Sequence, residues 1–233
     1  MRRSGDSGSR RRRLSRLALG LALGVILLLA IAQLVLPRIA VSRIKSRVGR
    51  YGTVESASVS AWPAVKLLWG SVDSVRVKAK SLTLSPAQAA SLLWEARGTA
   101  SMDVSAEQVQ VGQLRVTDAT LRKHGSALSA QAMTTEADVK AALPSGFGVR
   151  LVRSEGGEVE VQATGGLFGV NATVDAVAGA SDGKLVAHPL GFLIEGIQLT
   201  LFSDPHVYVE GVAASVAGKQ PLTYDLRMSA RLH

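Results

Sequence analysis

Four histidines, His124, His188, His206 and His233, are the side chains best suited to move a proton or hold a metal near neutral pH, and their spacing favours neither task. No two lie within a helical turn of each other, whereas a metal site needs several converging ligands. His188 precedes Pro189 and His206 follows Pro205, a pattern of loops. Glu158 and Glu160 share one face of a predicted strand with Glu155 nearby. Paired acids do acid–base work only where their surroundings split their pKa values, so a solvated face is expected here. Asp73, Asp103 and Asp118 are isolated, and would carry chemistry only if folding gathered them with histidines in a cleft. The chain has no H-E-x-x-H, G-x-S-x-G, phosphate-binding loop or strand-following G-x-G-x-x-G. It has no cysteine, which excludes disulfides and thiolate catalysis. Asn171-Ala172-Thr173 fits a glycosylation acceptor, read as coincidence in a chain whose 19 arginines, 8 lysines and single asparagine suggest a GC-rich bacterial genome. No catalytic residue, metal or cofactor is expected.

The elements that would position any site begin with an address. Leu17 to Leu36 is an apolar run broken only by Gln33, and as a helix it would reach about 30 Å, the thickness of a bilayer's hydrocarbon core. Seven arginines and one aspartate precede it, which favours a cytoplasmic N-terminus and a body on the outer side. Five basic residues, Arg38 to Arg50, follow it and reduce that contrast. Ala30-Ile31-Ala32 also fits a signal-peptide cleavage site, so a retained anchor and a secreted protein cut after Ala32 both stand. The charge of +9 does not point to nucleic acid. Residues 1–50 carry twelve basic side chains and one acidic, leaving the remainder at −2. The expected organisation is a basic tail (1–16), an anchor or uncleaved signal (17–36), a juxtamembrane basic helix (37–52) and one domain (53–233).

Within that domain the apolar period becomes two. Val75, Val77 and Ala79 alternate with Arg76, Lys78 and Lys80, and similar runs recur to Met228. Gly156-Gly157 and Asp182-Gly183 sit where hairpins would turn. Ser85-Pro86-Ala87-Gln88 carries the cap, first-turn proline and reciprocal glutamine of a helix start. Thr135 with Asp138 opens a second helix ended by Pro144, and Ala64 to Trp69 after Pro63 reads as a third. An α+β domain of nine or ten strands in an antiparallel meander with three short helices is expected. Core packing is the first expectation for Trp62, Trp69 and Trp94, with interfacial anchoring or a pocket rim as the alternative.

The stretch Val54 to Val77, with its strand, Trp62-Pro63, apolar turn, Gly70 and Val-x-Val strand, resembles the opening of the LmeA-like phospholipid-binding family of actinobacterial cell-envelope proteins. The Thr135 to Leu143 helix with Pro144, Val149-Arg150-Leu151, Ser181 to Leu185 and the strand Tyr224 to Leu232 continue the likeness along residues 38–232. Ala64 departs from it, standing where the family has a larger apolar residue. The resemblance implies a tubular lipid-binding type of fold, a strongly curved antiparallel sheet around a helix, and an exported phospholipid-binding or lipid-transfer protein that supports envelope lipoglycan synthesis. Candidate lipid-lining positions, chosen by strand or helix face, are Leu67, Leu68, Trp69, Val75, Val77, Leu82, Leu84, Val109, Val111, Leu199 and Leu201. Expected partners are a phospholipid or other envelope lipid, the membrane and envelope enzymes, with no nucleic acid. The rival readings are a non-lipid envelope scaffold or interaction module, and an enzyme acting on envelope glycolipid.

Overall fold

A computed structural model describes residues 36, 38–63, 72–143, 146–167, 170–190 and 198–233. The predicted span and the predicted helix Ala64 to Trp69 lie almost wholly outside them. Among the described residues no helix is long and apolar enough to cross a membrane.

The described chain is an α+β arrangement of twelve strands in two sheets with three α-helices, and neither sheet closes into a barrel. Helix α1 (38–48) leads into β1 (Gly52–Ser60) and β2 (Val72–Leu84). Helix α2 (Pro86–Glu95) and a 3-10 turn cross to β3 (Thr99–Val111), followed by β4 (Leu114–His124), β5 (Ala127–Thr135) and α3 (Glu136–Ala142). Then come β6 (Phe147–Glu155), β7 (Glu158–Leu167), β8 (Val170–Ser181), β9 (Lys184–Pro189), β10 (Leu199–Phe202), β11 (Val207–Lys219) and β12 (Leu222–Leu232). The large sheet runs β1-β2-β3-β4-β5-β12-β11, and the small sheet runs β10-β9-β8-β7-β6.

Both predicted helix starts form from local chemistry. The Ser85 hydroxyl accepts from the Gln88 N–H at 3.2 Å, and the Gln88 side chain accepts from the Ser85 N–H at 2.8 Å. Thr135 caps α3 by accepting from the Asp138 N–H at 3.1 Å. The meander needs two corrections. Among the described residues the strands number twelve, and β2 pairs with β3 in parallel. The predicted helix at Ser85 is a crossover, which parallel neighbours require and a hairpin cannot supply.

That crossover is short. Thr99 pairs with Val72 and Val111 with Leu84, so the chain must return the whole length of β2. Thirteen straight strand residues extend about 40 Å. One ten-residue helix, a 3-10 turn and extended joints reach about 30 Å. The strands therefore bend. The buried side changes phase between Ala79 and Leu82 on β2, and between Ala106 and Val109 on β3. On β4 the change falls at Asp118, a bulge residue with φ of 50°. Curvature carries α2 onto the far half of the sheet, where Ala90 is buried with Leu128, Val207, Ala230 and Leu232. A second cluster, Ala79, Leu82, Ala106, Val109 and Val116, receives Val48 from α1.

The small sheet meets the large one end-on. In the outer strand β11, the Val209 N–H donates to the Gly183 carbonyl at 2.8 Å and the Val212 N–H to that of Gly157 at 2.9 Å. Three strand residues span about 10 Å, which matches two hairpin tips separated by two strand spacings. The predicted turns Gly156-Gly157 and Asp182-Gly183 are those tips, and they occupy hydrogen-bonding groups that an edge strand would otherwise expose. The approach is close: a Cβ on Gly183, whose φ is 74°, would fall 2.3 Å from the Tyr208 ring.

Two substitutions check these elements by denaturant unfolding. Ser85→Ala should lower stability by about 1 kcal/mol through loss of the cap. Gly183→Ala should cost about 1–3 kcal/mol, because the left-handed backbone and the Tyr208 ring both oppose a side chain.

Candidate functional site

Strand register assembles one apolar row across the whole large sheet: Ala57, Val77, Val104, Leu121, Ala130, Met228 and Val212. Val77 is buried and the other six are only half-buried. The row runs between the cluster under α1 and the cluster under α2, so half-buried apolar side chains of this face lie between two groups of buried ones. The small sheet repeats the pattern. Leu151, Val161, Ala176 and Pro189 form one row, Val149, Ala163 and Val174 the next, and all seven are half-buried. Tyr224 joins the two faces. Its hydroxyl is buried and faces the Leu151 backbone without reaching hydrogen-bond geometry. Burial first, and the nearby Glu136 charge second, push its pKa up, so the phenol stays neutral and able to donate.

A lipid-sized apolar ligand is the chemistry such a surface accommodates. It offers two adjoining half-covered strips, or troughs, of small and branched side chains, and each methylene shielded there from water contributes about 0.8 kcal/mol.

The opposite face of the large sheet is polar and carries two grooves. One, of about 380 Å³, is lined by Arg76, Ser101, Asp103, Arg122, His124 and Ser129 among others. The other, of about 400 Å³, runs past Gln131, Arg227 and Gly211. Asp103 and His124 thus share a groove, but no hydrogen bond polarises one against the other, and Asp103 lies directly across from Arg122. His206 faces Asp204 at 3.2 Å, and Glu160 is held by Arg153. Among the described residues no group of three His, Cys, Asp or Glu is placed to hold a metal.

The predicted lining residues separate by depth. Val75, Val77, Leu82 and Val109 are buried within the large sheet, and Leu84 and Val111 are half-buried beside them. Leu199 and Leu201 stand 61% and 51% exposed on the outer strand β10. Leu67, Leu68 and Trp69 lie outside the described residues. Sequence reasoning missed Val104, Leu121, Ala130 and Leu151. Their strand alternation was visible, but alternation reports the face and not what covers it.

The sequence profile of the LmeA-like phospholipid-binding family matches residues 30–226, which is most of the chain. The chain belongs to that family. No curated protein and no solved structure matches it. In this LmeA-like chain the description "phospholipid-binding" has a physical counterpart in the paired apolar troughs.

The LmeA-like chain holds the α2 crossover beside those troughs with a buried charge. Lys123, 3% exposed on the apolar side of β4, donates to the carbonyls of Thr99 and, at 3.2 Å, Arg97. Both carbonyls lie where the 3-10 turn ends, the negative end of a helical segment. Desolvation lowers the lysine pKa below 10.5. Between the lowered value and 10.5 the unfolded chain binds more protons than the folded one, so stability rises with pH across that window. Unfolding free energies measured from neutral pH to 10.5 should show this rise, and Lys123→Met should abolish it. The same variant should lose about 1–3 kcal/mol at neutral pH, because the buried Thr99 carbonyl and the part-buried Arg97 carbonyl lose this donor.

Proposed function

We propose that this protein is an exported, membrane-tethered carrier that binds a phospholipid of the bacterial cell envelope along its apolar troughs and catalyses no reaction. The observation that carries the reading is the half-buried row from Val104 to Val212, in a chain of a phospholipid-binding family. A sheet face that only formed a core would be covered to the depth of Ala79 or Val209, which are 0% and 1% exposed. Acyl chains laid over Val104, Leu121 and Met228, and onward to Leu151 and Val161, would complete that cover. The Tyr224 hydroxyl stands where the two faces meet and would gain a partner in a lipid ester carbonyl.

Support for export and tethering comes from the apolar run Leu17 to Leu36 with its preceding arginines. A role in envelope lipoglycan synthesis would follow from delivering lipid to envelope enzymes. The competing reading, an envelope interaction scaffold, requires the same apolar row to be covered by protein instead of lipid.

Lipid content separates the two. The full chain purified from membrane-containing cells should carry phospholipid, measured as phosphorus per protein and identified by mass spectrometry. Met228→Lys combined with Leu121→Gln should strip most of it while leaving the far-ultraviolet circular dichroism of the folded sheet intact, since both side chains are already half in solvent. A folded native protein that neither carries nor exchanges phospholipid would sink the carrier reading.

A further inference from the structure

Aromatic residues make up only 4% of this chain, yet Trp62, Trp94 and Tyr208 gather at one end of the large sheet. Register aligns Ser60, Ser74, Ser101, His124, Ala127, Arg231 and Tyr208 in a single row across all seven strands, which marks that end. Just beyond β1, Trp62 is 75% exposed, and its backbone N–H donates to Asp73 at 2.6 Å, so the indole is presented from an anchored backbone. Across the sheet Tyr208 is 43% exposed, its ring edge-on to His233 at 5.2 Å. Between them Trp94 lies 4.2 Å from the His206 ring, and the Arg97 guanidinium sits 4.2 Å above the same indole. Both tryptophans among the described residues are therefore here. At the other end Tyr51 is half-buried and Tyr224 is buried.

We propose that this aromatic end is the face the protein sets against a phospholipid bilayer, with Trp62 and Tyr208 entering the headgroup layer. Rings that combine an apolar body with a polar N–H or O–H settle at the boundary between hydrocarbon and water. An exposed indole in bulk water gains nothing comparable. Arg97 complements the rings: its guanidinium rests on Trp94 and donates to the Trp94 carbonyl at 3.1 Å, and its other N–H groups would donate to lipid phosphates. Acids at the same end, Asp73 and Asp204, offset the basic groups, so attachment depends on the rings and needs no highly anionic lipid. The bilayer is the occupant that fits, because a phospholipid-binding chain must meet its ligand where that ligand resides. The inference rests on the carrier reading for its purpose but not for its test.

The test uses the full chain reconstituted in phosphatidylcholine vesicles whose lipids carry bromine either near the headgroup or near the chain ends. In a Trp69→Phe, Trp94→Phe background, Trp62 fluorescence should shift to the blue and be quenched more strongly by the shallow bromines. The Trp62→Phe protein, which keeps the other two indoles, should lack that component. Emission that stays at the wavelength of solvated indole and is unaffected by either lipid would overturn the proposal. A blue shift without bromine quenching that grows with protein concentration would overturn it in favour of a second copy or a protein partner. Trp62→Ala with Tyr208→Ala should slow lipid transfer between vesicles several-fold yet leave uptake of monomeric short-chain phosphatidylcholine unchanged; equal loss of both would overturn the docking role. If native protein takes up no monomeric lipid, the carrier reading fails while the bromine result still decides the docking face.

Discussion

The crossover from β2 to β3 constrains everything built on it. A parallel pair joined by so short a helix cannot be flat, and the strain is relieved by a coordinated change of phase on three neighbouring strands. Bending there brings α2 over β5, β12 and β11, which buries Ala90 and completes the second core cluster. Without the bend the helix could not reach those strands, and the apolar face would have no flanking walls. Lys123 belongs to the same device. It fastens the end of the crossover from below with hydrogen bonds that no apolar side chain could make.

The troughs follow from where cover is missing. Alternation supplies an apolar face along each strand, but α1 and α2 reach only its two sides, and the middle row remains half in solvent. The small sheet adds a second partly covered face and is fixed to the first through its hairpin tips and through Tyr224. Phospholipid binding here needs no polarised side chain. It asks for continuous apolar area next to a route to water, and both sheets present it.

Local chemistry was legible in the sequence, and long-range consequences were not. Ser85 with Gln88, Thr135 with Asp138 and the glycine turns at 156–157 and 182–183 announce themselves because their partners lie within four residues. The parallel register of Val72 with Thr99 depends on the path of an intervening helix, which no pattern inside either strand reveals. Burial of Lys123 was equally hidden, since a lysine in an alternating strand reads as a solvent-facing residue until the carbonyls that receive it are in place. Val75, which was among the candidate lining residues, and Val104, which was not, share one face and differ in depth, a difference that alternation does not report. Family resemblance reached the phospholipid class, which alternation alone could not distinguish from an ordinary core.

The hairpin tips on β11 have a consequence for how copies of this molecule can associate. Growth of a sheet from protein to protein needs two free edges, one to accept a strand and one to offer the next. In the large sheet the Gly157 and Gly183 carbonyls take N–H groups in the first half of β11, and β1 is the other outer strand. A strand from a second copy cannot pair along the full length of β11 without displacing those hairpin tips, which hinders a seven-stranded, partly apolar sheet from lengthening into fibres on that side.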